Sequence, residues 1–152
     1  MSDPTELVPE LREVAGALFK ATGNGSLPEG PLGLAALRAA HLVGNTYLTI
    51  RCAGQLRRAG ETEARIDAVA SWRDAPYYDD AERAALALAE AVFGPGGGGE
   101  RVSDELYAEA SARFDAKALA TLTIGLGQIA FWSVVAVVGR PVPGVPDSDT
   151  WT

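Results

Sequence analysis

The chain has 152 residues, a formal net charge of −7, one cysteine and 47% hydrophobic residues. This length allows one domain with a full hydrophobic core and leaves little room for a second. The negative charge argues against nucleic-acid binding, because phosphate contacts need a basic surface. A lone cysteine excludes an internal disulfide, and the acidic N-terminal segment lacks the apolar core of a secretory signal. We therefore expect a cytoplasmic protein.

The first half of the chain shows the periodicity of amphipathic helices. Apolar residues three and four apart predict a helix over residues 9–22. Residues 24–31 are rich in Gly, Pro and Asn and predict a loop. A helical pattern then covers residues 32–60, with a break indicated at Gly44. The arginines between residues 38 and 65 are interpreted as a solvated helix face rather than an anion site.

The second half contains further helices with clear starting signals. Residues with short polar side chains mark four helix starts, namely Thr62, Asp79, Ser103 and Asp115. Glu82, three residues after Asp79, completes the pattern of a capping box. The glycine-rich residues 94–99 predict a surface linker, since they lack the lysine of a phosphate-binding loop. No segment alternates as a strand does, so we predict one all-α domain over residues 1–140 and a proline-rich tail over residues 141–152.

Residues 118–138 form an uncharged stretch of 21 residues, which is long enough to span a membrane. The stretch nevertheless contains several polar side chains, namely Thr121, Thr123, Gln128 and Ser133. We interpret it as a central helix buried on all sides by its own chain and by a neighbouring subunit. This interpretation predicts a homo-oligomer and no membrane insertion.

Four residues share one face of the helical pattern, His41, Asn45, Leu48 and Cys52, because they are spaced three, four and seven apart. In one straight helix, His41 and Cys52 would lie about 16 Å apart along the axis, which excludes a cysteine–histidine pair. Such a pair requires the break at Gly44 or a neighbouring subunit. The alternative is that both residues belong to the core, where a lone buried cysteine behaves as a small hydrophobic side chain.

Metal binding is not expected, since one histidine and one cysteine without a carboxylate at ligand spacing do not make a metal site. The sequence also lacks a Ser-His-Asp arrangement and a dinucleotide-binding fingerprint. We therefore predict no cofactor.

Two segments carry a family resemblance: "LRAAHLVGNTYLTIRCAGQLRRAGETEARIDAVASW" and "DDAERAALALAEAV". Their order and punctuation resemble the carboxymuconolactone decarboxylase and alkyl hydroperoxidase D-like family over residues 9–140. The resemblance implies an alkyl hydroperoxidase D-like bundle of about six or seven helices, assembled as trimers or hexamers.

The redox groups of that family are replaced in this chain. By resemblance, the two cysteines of the family's Cys-x-x-Cys fall on Asn45 and Leu48, its histidine on Cys52 and its proton-shuttling glutamate on Gly33. Dithiol peroxide reduction needs one thiolate to attack and a second thiol to resolve the product. The chain is therefore not a dithiol peroxidase, and a complete set of decarboxylase residues cannot be mapped either.

Two classes of function remain open. The first is a cofactor-free, non-redox decarboxylase, isomerase or cyclase acting on a small hydrophobic or aromatic carbonyl compound, with the composition favouring secondary metabolism. Its predicted catalytic residues are His41, Asn45 and Cys52, and its predicted substrate-binding residues are Tyr47, Leu48, Gln128, Phe131 and Trp132. The second is a catalytically inactive member that binds a ligand or serves as a scaffold. A third hypothesis, single-cysteine peroxide chemistry at Cys52, requires a depressed thiol pKa.

Overall fold

The computed structural model describes residues 1–96 and 101–151. Within these residues the chain forms eight α-helices, two short 3-10 helices and no strand, which confirms the all-α prediction. The α-helices are α1 (Pro4–Leu7), α2 (Glu10–Thr22), α3 (Glu29–Val43), α4 (Thr46–Arg58), α5 (Glu63–Asp67), α6 (Asp80–Phe93), α7 (Asp104–Arg113) and α8 (Ala116–Gly139). The 3-10 helices are Ala68–Ser71 and Asp147–Asp149.

The capping residues that mark helix starts in the sequence all act as N-caps. Their side chains accept hydrogen bonds from backbone N–H groups three residues further on, at Thr62, Asp79, Ser103 and Asp115. The Glu82 side chain accepts from the Asp79 N–H in return, which completes the predicted capping box. Helix boundaries in this part of the chain therefore follow from local hydrogen bonding.

The predicted break at Gly44 is confirmed. This glycine has a φ of 72° and ends α3, and Asn45 then starts α4. The predicted loop over residues 24–31 is too long by three residues, because α3 begins at Glu29. Pro31 fits the first turn of a helix, where the N–H that proline lacks has no partner. Of the predicted linker over residues 94–99, residues 97–99 lie outside the described part of the chain.

Helix α3 is the centre of the bundle and contacts α4, α6 and α8. Its residues enter two hydrophobic clusters on opposite sides. The first cluster joins α3 to α4 and the segment after it, and includes Leu37, Leu48, Cys52, Leu56, Trp72 and Ala136. The second joins α3 to α6, α7 and the first half of α8, and includes Ala35, Ala85, Phe114 and Leu122.

Helix α8 is buried on one side only. Leu122 and Leu126 pack into the bundle, whereas Ile124, Val134 and Val138 are 41%, 65% and 70% exposed. A single chain therefore does not bury this helix fully. The sequence analysis expects its own chain and a neighbouring subunit to bury it together. The helix is long and apolar enough to cross a membrane, a property that core helices of soluble proteins share.

Two of the arginines interpreted as a solvated face take part in partly buried ion pairs instead. Arg38 pairs with Glu90 at 2.9 Å, and Arg65 pairs with Glu61 at 2.7 Å and with Glu82 at 2.5 Å. Glu90 and Glu82 are distant in the sequence from the arginines they pair with, so no local pattern indicates these two pairs. Glu61 lies only four residues before Arg65. The arginines stabilise the packing of α3, α5 and α6.

Candidate functional site

The break at Gly44 divides the predicted site between two helices. His41 lies in the last turn of α3, whereas Asn45 caps α4 and Leu48 and Cys52 lie within it. The straight-helix distance between His41 and Cys52 therefore does not apply. The site is a corner between two helices rather than a stripe along one.

Asn45 has a local structural role at this corner. Its side-chain Oδ1 accepts a hydrogen bond from the Leu48 N–H at 3.0 Å, which caps the N-terminus of α4. Asparagine is among the preferred N-cap residues because it satisfies an N–H that the helix leaves unpaired. The cap explains an amide at this position without any catalytic role, an alternative that sequence analysis missed.

Cys52 is a core residue. It is 4% exposed and belongs to the first hydrophobic cluster with Leu48 and Leu56. Burial raises the pKa of the Cys52 thiol to about 11, and the nearby positive charge of Arg51 only partly opposes this shift. The side chain is therefore a neutral thiol near neutral pH. Single-cysteine peroxide chemistry requires the opposite shift, so this geometry opposes the third hypothesis.

His41 is the polar side chain whose surroundings are incomplete. Its Nδ1 is buried and has no hydrogen-bond partner among the described residues. Burial lowers the pKa of the imidazole, and the positive charge of Arg38, one turn earlier on α3, lowers this pKa further. The ring is therefore neutral near pH 7. An unpartnered buried polar atom costs about 1–3 kcal/mol, so Nδ1 is a candidate for contact with a ligand.

Gly33 occupies the position that the resemblance assigns to the family's glutamate. A Cβ atom at Gly33 would lie 2.7 Å from Cδ2 of Leu56, which is too close for any contact between carbon atoms. The Leu56 side chain from α4 therefore fills the space beside this position. A side chain at Gly33 would require Leu56 to move.

Of the predicted residues on α8, Trp132 approaches the α4 side of the site. Trp132 is partly buried against the cluster that contains Leu48 and Cys52. Phe131 packs edge-to-face on Trp132 with ring centroids 4.9 Å apart, yet it is 41% exposed. Gln128 turns towards α2, where its Nε2 donates to the Thr22 hydroxyl at 3.4 Å.

Tyr47 lies one turn before Arg51 on α4. Its ring packs partly buried against the first cluster, and its hydroxyl accepts a hydrogen bond from Arg51 Nη1 at 3.3 Å. The structure thus groups Tyr47, Leu48, Cys52 and Trp132 around one apolar cluster. Phe131 adjoins this group at the surface, and Gln128 is engaged elsewhere.

Two surface cavities lie away from these residues. One, of about 340 Å³, lies where the N-terminal ends of α3, α6 and α8 meet and is lined in part by Asp79, Glu82 and Arg113. The other, of about 150 Å³, lies beside Leu56 and Gly60. Across residues 1–96 and 101–151, no group of three or more His, Cys, Asp or Glu side chains could hold a metal ion.

Comparison with known proteins defines the class of this fold. A solved structure from Agrobacterium tumefaciens, of unknown function and suggested to be the antioxidant defence protein AhpD, superimposes with a TM-score of 0.82. It shares 25% sequence identity, over 93% of this chain and 96% of that one. The debrominase Bmp8 in complex with 2,3,4-tribromopyrrole has a TM-score of 0.77 at 20% identity, over 88% of this chain and 71% of Bmp8. The protein has the alkyl hydroperoxidase D-like helical fold.

Residues 7–91 match the carboxymuconolactone decarboxylase family, and the chain belongs to that family. An uncharacterised protein of Bacillus subtilis, YdfG, is 27% identical over 133 residues, which is 87% of this chain and 88% of YdfG. The family resemblance predicted from the sequence is thus confirmed.

Proposed function

We propose that the protein is a cofactor-free, non-redox enzyme that acts on a small hydrophobic or aromatic carbonyl compound. The reaction would be a decarboxylation, an isomerisation or a ring closure, in secondary metabolism in the cytoplasm. One observation carries the proposal: the chain's single histidine has a buried Nδ1 without a partner among the described residues, beside the corner to which the family resemblance assigns redox residues. Buried polar groups in folded proteins nearly always have a hydrogen-bond partner, and a bound ligand would supply one to Nδ1.

His41 is the residue that would transfer the proton. Because its pKa is lowered, the imidazole is neutral near pH 7 and can accept a proton from a carbon acid or donate one from its N–H. The cap uses Oδ1 of Asn45, so Nδ2 is the atom of this amide that would donate to an enolate oxygen. Trp132 and Leu48 supply the apolar wall that a hydrophobic substrate needs.

The alternative is an inactive family member that binds a ligand or serves as a scaffold. Two observations favour it: Leu48 and Cys52 pack in a continuous apolar cluster, and Leu56 fills the space beside Gly33. In this alternative the cluster is core, and the loss of the redox groups leaves a structural helix pair.

Separating the two functions requires binding and turnover to be measured on the same variants. Native mass spectrometry of the purified protein would first detect a bound small molecule. Carbon dioxide release and product formation would then be followed for a panel of hydrophobic β-keto acids. We expect His41→Ala to retain binding while turnover falls about 100-fold or more. Tyr107→Ala, at an exposed position on α7, is the control and should behave as the wild type.

Equal turnover in His41→Ala and wild type would overturn the proposal. Binding without turnover of any β-keto acid, together with a His41→Ala variant more stable than the wild type, would support the scaffold alternative. In that case His41 would be only a core residue that destabilises the fold.

We also propose that a second copy of the chain covers the exposed face of α8, consistent with a trimer or hexamer. The large apolar side chains of this face are Ile124, Phe131, Val134, Val137 and Val138. Together they expose on the order of 500 Å², which is near the upper limit for a monomeric protein. Residues 118–138 are uncharged, so two acidic copies can meet there without direct repulsion between like charges.

Sedimentation velocity tests the assembly. The wild type should sediment as a trimer or hexamer, and Val134→Glu should shift it to the monomer because a carboxylate would be buried in the interface. Tyr107→Glu is the control, since it adds the same charge on α7. A monomeric wild type, or one that binds lipid vesicles through α8, would contradict the proposal.

A further inference from the structure

We infer that residues 141–151 form a strap that holds α4 against the end of α8 and controls access to Cys52 between them. The strap, defined as this segment, leaves α8 at Arg140, whose φ of 54° turns the chain sharply. This inference does not depend on the proposed reaction, since it concerns how the two helices are held together.

The strap is anchored at the C-terminal end of α8. The Val142 N–H donates to the Thr150 carbonyl at 2.8 Å, which closes the strap into a loop, and Thr150 is 3% exposed. The Trp151 ring packs on Gly139, where a Cβ atom would lie 2.8 Å from the indole. The Met1 side chain contacts the same glycine. The loop therefore starts and ends at one buried point.

Between these anchors the strap reaches the outer face of α4. A Cβ atom at Gly144 would lie 3.9 Å from Cδ1 of Ile50, and Asp147 pairs with Arg51 at 3.9 Å. This ion pair is exposed, since the Asp147 side chain is 98% accessible. The crossing is therefore held weakly, whereas the anchor is held by buried groups.

The strap crosses the contact between α4 and α8, which we call the seam, and a second connection has most effect there. Leu48 and Cys52 of α4 belong to the same hydrophobic cluster as Ala136 of α8, and Trp132 of α8 packs against this cluster. Helix α4 packs extensively on α3 but touches α8 over only a short stretch. Because the direct contact is short, the strap adds a second connection between the same two helices. Lifting the strap would let α4 and α8 separate without unfolding the bundle.

Cys52 is a natural reporter of this separation because it is the only thiol in the chain. Its reaction with dithionitrobenzoate at neutral pH requires the seam to open, since the side chain is 4% exposed. We expect Trp151→Ala to react about tenfold faster than the wild type, and Asp147→Asn to react a few times faster. Global stability is measured in parallel by urea unfolding followed by circular dichroism.

Two controls isolate the strap. Tyr107→Ala removes an exposed aromatic ring elsewhere, and Asp149→Asn removes a carboxylate from the strap that makes no ion pair among the described residues. Neither should change the rate at Cys52. Unchanged rates in both Trp151→Ala and Asp147→Asn would overturn the inference. So would faster rates that match the loss of global stability, because the thiol would then react through complete unfolding.

Discussion

Glu90 on α6 and His41 on α3 lie in the same bundle but in opposite polar surroundings. Oε1 of Glu90 accepts hydrogen bonds from Trp72 and Arg38, and Oε2 accepts from Arg73. The buried Nδ1 of His41 has no partner among the described residues. The two groups therefore differ in how fully the chain itself satisfies their hydrogen bonds.

The pKa values of the two groups reflect this difference. Burial alone would raise the pKa of Glu90, but the hydrogen bonds and charges of Trp72, Arg73 and Arg38 hold it below its ordinary value. Burial lowers the pKa of His41, and the charge of Arg38 lowers it further. The fold thus stabilises the charged form of Glu90 and the neutral form of His41.

We expect the largest effect on stability from removing the Glu90 carboxylate and its hydrogen bonds. Glu90→Ala would leave Arg38 and the Trp72 N–H without a partner, and should lower the free energy of unfolding by about 3 kcal/mol. Urea unfolding at neutral pH measures this change. Glu63→Ala is the matched control, because its pair with Arg57 is exposed. A loss no greater than that of the control would show that the Glu90 network is not architectural.

The pH dependence of the same variant has a defined sign. Since the pKa of Glu90 is lowered on folding, its ionised form stabilises the protein above the ordinary value of 4.5, and this stability is lost as the pH falls through the folded pKa. Glu90→Ala should lack this component. The difference between wild type and variant should therefore shrink in acid.

The next effect concerns the contact between Gly33 and Leu56. Relative to the gain expected for an unhindered Gly→Ala change in a helix, Gly33→Ala should lose about 1–3 kcal/mol, because the new methyl group forces Leu56 to move. Leu56→Ala is itself destabilising, since it leaves a cavity in the core. Gly33→Ala should nevertheless cost about 1 kcal/mol less in the Leu56→Ala background, which a double-mutant cycle measures. Gly16→Ala, in α2, is the control. Its methyl group meets nothing within 4 Å and should stabilise the helix by about 0.5–1 kcal/mol.

A similar or smaller loss of stability is expected from substitutions at Cys52, and these distinguish a core cysteine from a functional one. Cys52→Ser would bury a hydroxyl in an apolar cluster and should cost about 1–3 kcal/mol. Cys52→Ala should be less harmful because it adds no polar atom. Thermal unfolding of the two variants measures the order. If Ser were tolerated better than Ala, Cys52 would have a polar partner that the core interpretation does not provide.

We expect the smallest effect on stability from substituting His41. The pKa of His41 is lowered on folding, so below its ordinary value of 6.5 the unfolded chain binds more protons and stability falls with decreasing pH. His41→Gln should remove this slope while leaving stability above pH 6.5 nearly unchanged. Urea unfolding on both sides of this pH checks the result. If the free energy of unfolding changed equally with pH in both proteins, His41 would have the same pKa in the folded and unfolded states.

Helix boundaries were accessible from the sequence because they depend on near neighbours. Asp79 and Glu82 are three residues apart, and Gly44 alone supplies the left-handed turn. The partner of Arg38, by contrast, is 52 residues away on α6. Such a long-range pair leaves no local pattern, and Arg38 was therefore interpreted as solvated.

The candidate site was only partly accessible for the same reason. The residue types were visible, and spacing placed Leu48 and Cys52 on one face of α4. The capping role of Asn45 was visible in principle, as an asparagine after a glycine at a helix start. The filling of the space beside Gly33 by Leu56 depends on how α3 packs against α4, which no periodicity encodes.

The meeting of the two chain ends at Gly139 has a practical consequence. The Met1 amino group donates to the Gly139 carbonyl at 3.4 Å, and Trp151 packs on the same residue. Residues 1 and 151 are therefore close enough for a short peptide to join them in a circularly permuted protein. Conversely, an affinity tag at either end would lie against this junction. A spacer between the tag and the protein would then be needed for a protease to reach its cleavage site.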